Sequence, residues 1–242
     1  MFASYFFDDM FSSLSELFKN PGLLELGWDM EDYGFYSSGY SFLCIWGGLI
    51  VCGALLDRFG VRLVGSIFVG MMVAGAALVT YAISAGFTPK TSLTIAYIGY
   101  MLFGLGSEIA GVAVTRSIAK WYKGRNMALA MGLQLAIARL GTALAILVGP
   151  VLVNYQAGKY YHLSDTVQPA LVGMGILAIG VILWGVFVAM DYRFDKNAGT
   201  TDKVETAEED KFRMSDIWKV LTNPRFLMIA VLCVTFYCTV IR

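Results

Sequence analysis

The chain has 242 residues, of which 57% are hydrophobic and only 15% charged, and its mean hydropathy is +0.65. A soluble domain carries about 25% charged residues, and here the charges collect between long uncharged stretches, so a soluble globular fold is excluded in favour of a polytopic membrane protein. Basic and acidic residues balance at 18 each, which leaves no basic footprint for nucleic acid. Cys44, Cys52, Cys233 and Cys238 all fall in apolar runs beside a single histidine, His162. Reduced thiols, no metal site and no cofactor are expected.

The first stretch, Phe2 to Phe18, reads as an apolar and aromatic helix end that emerges into an acidic loop with Glu16, Glu25, Asp29, Glu31 and Asp32. It lacks the basic start and small-residue cleavage site of a signal peptide. Five runs near 34–56, 63–85, 92–118, 126–153 and 168–190 then have the roughly 20 apolar residues needed to cross hydrocarbon. Composition shifts to mixed charge from Asp191 to Thr222, which reads as a linker. Within it, Ser215 as an N-cap, an apolar face of Ile217, Trp218 and Leu221, and a stop at Pro224 indicate a short interfacial helix. Another span begins after Asn223-Pro224 and reaches the last residue, Arg242. The predicted fold is therefore an all-α membrane protein, a six-helix bundle over 1–190 with an incomplete first helix. A linker over 191–223 and the start of a seventh helix over 224–242 follow, so the bundle reads as truncated at both ends.

Short cytoplasmic loops are enriched in Lys and Arg. Arg58, Arg62, Arg116, Lys120, Lys123, Arg125 and seven more from Arg193 to Arg225 share one side, whereas the other holds only Lys19, Lys90 and Lys159. The first side is read as cytoplasmic.

Between the second and third helices stands Gly53-Ala54-Leu55-Leu56-Asp57-Arg58-Phe59-Gly60-Val61-Arg62. A glycine at Gly53 permits close helix approach, Gly60 supports a tight turn, and Asp57 can bind a helix N-terminus or a nearby arginine. This segment resembles the G-x-x-x-D-R-x-G-[RK]-[RK] loop of the major facilitator superfamily, matching at Gly53, Asp57, Arg58, Gly60 and Arg62 and departing at Val61. The turn Trp121-Tyr122-Lys123-Gly124-Arg125 is also similar to that superfamily. The wording around YFFDDMFSSL, YSFLCIWGG and IARLG resembles a branch that includes lysosomal dipeptide transporters and bacterial members. The resemblance implies the N-terminal half of a twelve-helix transporter working by alternating access, with a C-terminal bundle, a small-molecule substrate and the lipid bilayer as partners. It implies gating at Asp57, with Arg116 as its counter-ion; a snorkelling surface arginine is the alternative. A bacterial plasma-membrane location follows from the same resemblance. The drug-antiporter pattern in helix five is absent, because Ala145-Ile146 stands where Gly-Pro belongs and Gly149-Pro150 comes four residues late. No phosphate loop, zinc-protease motif or nucleophile elbow occurs, which argues against a pump and against an enzyme, so no catalytic residues are assigned.

Glu108 and Arg139 lie deep within spans, where a lone charge costs at least about 2.5–3.5 kcal/mol. On a hairpin about Tyr122-Lys123 they sit within two residues of the same depth, about 3 Å, with Gly104 and Gly111 leaving room for the guanidinium. They bind a substrate carrying both charges, or Glu108 takes up a coupling proton, or the two form a permanent brace. Asp8 and Asp9 are further candidates for proton or ion coupling. Tyr36 and Tyr40, at i and i+4, are candidates for an aromatic cavity wall, with an interfacial role as the alternative. Gln134 is a lesser candidate substrate contact, and His162 is assigned to a solvated outer loop. A non-transporting membrane scaffold or receptor-like protein is the competing functional class.

Overall fold

In hydrocarbon a backbone must satisfy its N–H and C=O groups internally, so runs this apolar have helix as their open option. The computed structural model describes residues 1–122, 126–156 and 158–198 of one unit, Met1–Asp202, and residues 222–224, 226–229, 231, 232 and 235 of a second, Lys203–Arg242. The described residues of the first unit form α1 (Phe2–Asp9), α2 (Met30–Leu43), α3 (Leu49–Phe59), α4 (Val61–Ser84), α5 (Pro89–Trp121), α6 (Met127–Leu152) and α7 (Leu163–Ala198). Among the described residues five stretches are, by length and composition, able to cross a membrane: Met30–Phe59, Val61–Ser84, Pro89–Trp121, Met127–Leu152 and Leu163–Phe194. In the second unit Pro224 opens a helical segment in which Leu227 N donates to Asn223 O at 3.1 Å. The proposed interfacial helix at 215–221 and the Lys123–Arg125 turn lie outside the described residues, as do Cys233 and Cys238.

Local chemistry sets the helix ends. Asp29 and Asp32 cap α2 reciprocally, the Asp29 carboxylate accepting from Asp32 N at 2.8 Å and the Asp32 carboxylate from Asp29 N at 3.3 Å. Pro89 stands in the first turn of α5, where its missing N–H costs nothing. Gly60, at φ +83°, supplies the left-handed turn from α3 to α4. Three features differ from the sequence reading. The opening segment is α-helical only to Asp9 and winds as a 3-10 helix over Ser12–Lys19; Ser12 Oγ and Ser13 Oγ donate to the carbonyls three residues back, at 2.6 and 3.2 Å, and compete with the α pattern. The second span is broken by a π-turn at Cys44–Gly48, with Gly47 at φ +89°, which separates α2 from α3. The last helix runs past residue 190 to Ala198, because Asp191 is held by neighbouring helices.

Without a hydrophobic force between helices in lipid, small residues that let backbones approach do the packing. The α4–α5 crossing is built this way: a Cβ at Gly75 would lie 2.5 Å from both Gly99 O and Phe103 N. Ser92 Oγ seals the far end by donating to Ala82 O at 2.8 Å. On α5, Gly104 faces the Tyr40 backbone and thus admits α2, while a Cβ at Gly111 would lie 3.1 Å from Met1 Cε. Gly141 on α6 admits α1 in turn, its Cβ position being 2.5 Å from Phe2 O. Helix α1 packs on α6 and, at Gly173 and Gly180, on α7, while its side chains and Met1 reach α5.

These distances separate two glycines of α4. Gly75→Ala is expected to lower the thermal midpoint of the purified protein by the equivalent of roughly 1–3 kcal/mol, the cost of overpacking. Gly70→Ala, which would meet nothing within 4 Å, is expected to leave it unchanged or slightly raised. Equal losses at the two positions would contradict this account of the crossing.

Candidate functional site

A cavity of about 590 Å3 runs along α5 from Tyr40, Ser107 and Glu108 to Asp57 and Arg116, with Met1 and Tyr5 of α1 and Gly53 and Leu56 of α3 on its walls. Its one carboxylate without a cationic partner among the described residues is half-buried Glu108, whose Oε1 accepts a hydrogen bond from Tyr40 Oη at 2.9 Å. That bond is possible because Gly104 lets α2 approach α5 one turn away. At the other end Arg116 Nη1 pairs with Asp57 Oδ1, α5 to α3.

Glu108 and Arg139 do not form an ion pair. Arg139 is exposed on the bundle surface, and its guanidinium lies over the Tyr5 ring, 5.9 Å from the centroid. Helices adjacent in sequence are not neighbours along their whole length here: α1 reaches in beside both, and the space at Gly104 and Gly111, expected to admit a guanidinium, is taken up by Tyr40 and Met1. Direct contact between α5 and α6 occurs nearer the turn, where Gln134 Nε2 donates to Thr115 Oγ1 at 2.9 Å, while Gln134 Oε1 stays buried without a partner. Thr115 lines the cavity and Gln134 does not.

Tyr36 and Tyr40 diverge despite their i, i+4 spacing. Tyr40 lines the cavity; Tyr36 is 3% exposed and stacks on Tyr100 at 4.3 Å between ring centroids, within an aromatic core that includes Trp28 at 5.7 Å. Tyr100 was not singled out in the sequence, yet its hydroxyl donates to Asp8 Oδ1 at 2.5 Å. It precedes Glu108 by eight residues, about 12 Å along the helix, so two carboxylates of different helices are each held by a tyrosine at different depths. Asp9 follows at the end of α1, and its backbone carbonyl accepts from Ser12.

The residues of the signature loop separate as well. Gly53 lines the cavity, and a Cβ there would meet nothing within 4 Å, so it does not serve close helix approach. Arg58 is exposed, 5.5 Å from the centroid of its neighbour Phe59. Arg62 Nε pairs with Asp191 Oδ2 at 3.2 Å. Asp191, 2% exposed, also accepts from Lys120 Nζ at 3.2 Å and Trp121 Nε1 at 2.9 Å. This acid ties α4, α5 and α7 together at one end of the bundle. The sequence offered only the position of an acid at the edge of a span, which names no partner. At the opposite end Glu25 N donates to Tyr161 O at 3.0 Å, and exposed His162 stands 3.4 Å from the Glu25 carboxylate.

Because Asp191 is the acceptor for three donors, Asp191→Ala is expected to lower thermal stability in detergent by on the order of 3 kcal/mol, the cost of stranding charges in a poorly solvated site. Asp191→Asn retains an acceptor for Trp121 and is expected to lose less. An unchanged midpoint for the alanine variant would show that water replaces the carboxylate.

A match to the Major Facilitator Superfamily spans residues 1–241. Similar relatives include the lysosomal dipeptide transporter MFSD1 of Danio rerio, 27% identical over 244 residues, covering 98% of this chain and 49% of the relative. The Homo sapiens protein of the same name is 29% identical over 248 residues, covering 99% and 49%. A probable anion transporter 2, chloroplastic, of Oryza sativa subsp. japonica is 26% identical over 141 residues, covering 56% and 24%. The chain spans about half the length of the curated relatives it matches first. No solved structure matches it. Five membrane-length helical stretches among the described residues, the Gly53–Arg62 loop and a match over 241 residues together show that this chain is a multi-pass membrane protein belonging to the Major Facilitator Superfamily.

Proposed function

We propose that the chain forms the first bundle of a two-bundle secondary transporter that moves a small zwitterionic solute, peptide- or amino-acid-like, by alternating access. The observation that carries this reading is a pair of opposite intramembrane charges that do not neutralise each other. Glu108 is held by Tyr40 inside a cavity, and Arg139 meets no carboxylate among the described residues. Charges kept at such cost within spans mark substrate or ion pathways, and a solute with an ammonium and a carboxylate satisfies both. The relatives named as dipeptide transporters support that solute class. Asp57 and Arg116 close the basic end of the cavity and act as a gate on this reading, with Arg58 and Arg62 around it. Glu108, Asp8 and Asp9 are the groups proposed for proton or ion coupling. The basic loops favour the cytoplasm for that end, and a bacterial plasma membrane is the proposed location.

The test is uptake of a radiolabelled dipeptide by cells expressing the two-bundle transporter. Glu108→Gln and Arg139→Gln are each expected to reduce uptake at least about tenfold, since each removes a charged contact worth about 1.5–3 kcal/mol. The double variant is expected to be no better than the worse single. Recovery in the double variant would return the pair to a structural brace.

A further inference from the structure

Arg139 and the cavity share one residue. Tyr5 lines the cavity that holds Glu108, and the Arg139 guanidinium rests over its ring. A guanidinium has five N–H donors in its own plane, and an aromatic face engages it from above or below that plane. The cation–π contact with Tyr5, 5.9 Å from the guanidinium carbon to the ring centroid, therefore engages the group without using the N–H fork that grips a carboxylate. Nothing else described competes for that fork, because no acidic side chain or hydrogen-bond acceptor among the described residues reaches Arg139. The arrangement contrasts with Arg62 and Arg116, which engage Asp191 and Asp57. Helix α1 supplies the platform, and Gly141 holds that helix against α6: with no Cβ there, Phe2 approaches the α6 backbone one turn before Tyr5.

We infer that Tyr5 is a positioning residue for substrate recognition: it holds the Arg139 guanidinium beside the cavity wall that Tyr5 itself lines, so that the carboxylate end of a zwitterion is read there while its ammonium end is read at Glu108. This rests on the proposed zwitterion transport and adds a residue and a division of labour to it. The ring face is what matters, so phenylalanine replaces Tyr5 and an aliphatic side chain of similar bulk does not.

The experiment measures affinities of the purified two-bundle transporter for dialanine, dialanine amide and N-acetyl-dialanine, by ligand-induced thermal shift or calorimetry. The parent protein is expected to prefer dialanine over either blocked form by about tenfold or more, the worth of one charge-assisted contact. In Tyr5→Leu the preference over the amide disappears, because dialanine falls to the amide's affinity while the amide binds as before. The preference over the N-acetyl form persists, which a general loss of cavity shape would not spare. Tyr5→Phe keeps both preferences. If Tyr5→Leu still prefers dialanine over its amide, or loses affinity for all three ligands alike, the assignment of Tyr5 is overturned while the parent's preferences leave the zwitterion reading standing. If the parent binds the three ligands alike or binds none, the zwitterion reading falls and the role of Tyr5 with it.

Discussion

The approach of α1 to its neighbours is the constraint on which the site depends. Cβ atoms at Gly141, Gly173 and Gly180 would lie 2.5 Å from Phe2 O, 2.9 Å from Phe7 Cδ2 and 3.2 Å from Ala3 Cβ, so α6 and α7 both yield space to α1. With α1 in place Tyr5 stands under Arg139 and on the cavity wall, Asp8 reaches Tyr100, and Phe7 packs on Phe103 at 4.9 Å between centroids. In hydrocarbon such an approach is favoured by packing rather than by a hydrophobic force, and the glycines of α6 and α7 decide where it occurs.

The bundle treats its charges in two ways, according to what surrounds them. At the end rich in lysine and arginine, acids meet bases directly: Asp57 with Arg116, and Asp191 with Arg62 and Lys120. These pairs lie towards one end of the bundle, where the cations are partly exposed and the cost of desolvation is moderated. Along the spans the pattern changes. Glu108 and Asp8 each accept from a tyrosine, and Arg139 lies on another. Neutral phenol partners orient a charged group without cancelling it, which leaves the electrostatic demand to be met by a ligand on the proposed reading.

Mechanical division follows the same line. The first part of the second span, α2, is bound closely to α5 through Gly39 and Gly104, and it carries Tyr40. Beyond the π-turn at Cys44–Gly48, α3 belongs to a separate apolar cluster of Cys52, Leu56, Val64, Phe68, Ile109 and Ala113, and it carries Asp57. The cavity is thus walled by two helical segments joined at a break in the hydrogen-bond ladder. A π-turn is a recognised place for a helix to change direction.

Hydropathy and charge distribution were enough to place five membrane-length helices, since hydrocarbon imposes a length and a backbone rule on any sequence that enters it. They also picked out Glu108 and Arg139, because a charge inside an apolar run is visible without a neighbour, and the signature loop, because its residues are consecutive. Who meets whom was not legible. Tyr36 and Tyr40 look equivalent in sequence, yet one stacks in the aromatic core and the other enters the cavity; Asp191 looks like the start of a linker, yet it is buried under three donors. The contact of Arg139 with the Tyr5 ring and the capture of Asp8 by Tyr100 both depend on which helices lie side by side. Periodicity within one helix determines which residues share a face, but the partner of that face is set by where small residues on several helices allow backbones to meet, a condition that exists only in the packed bundle.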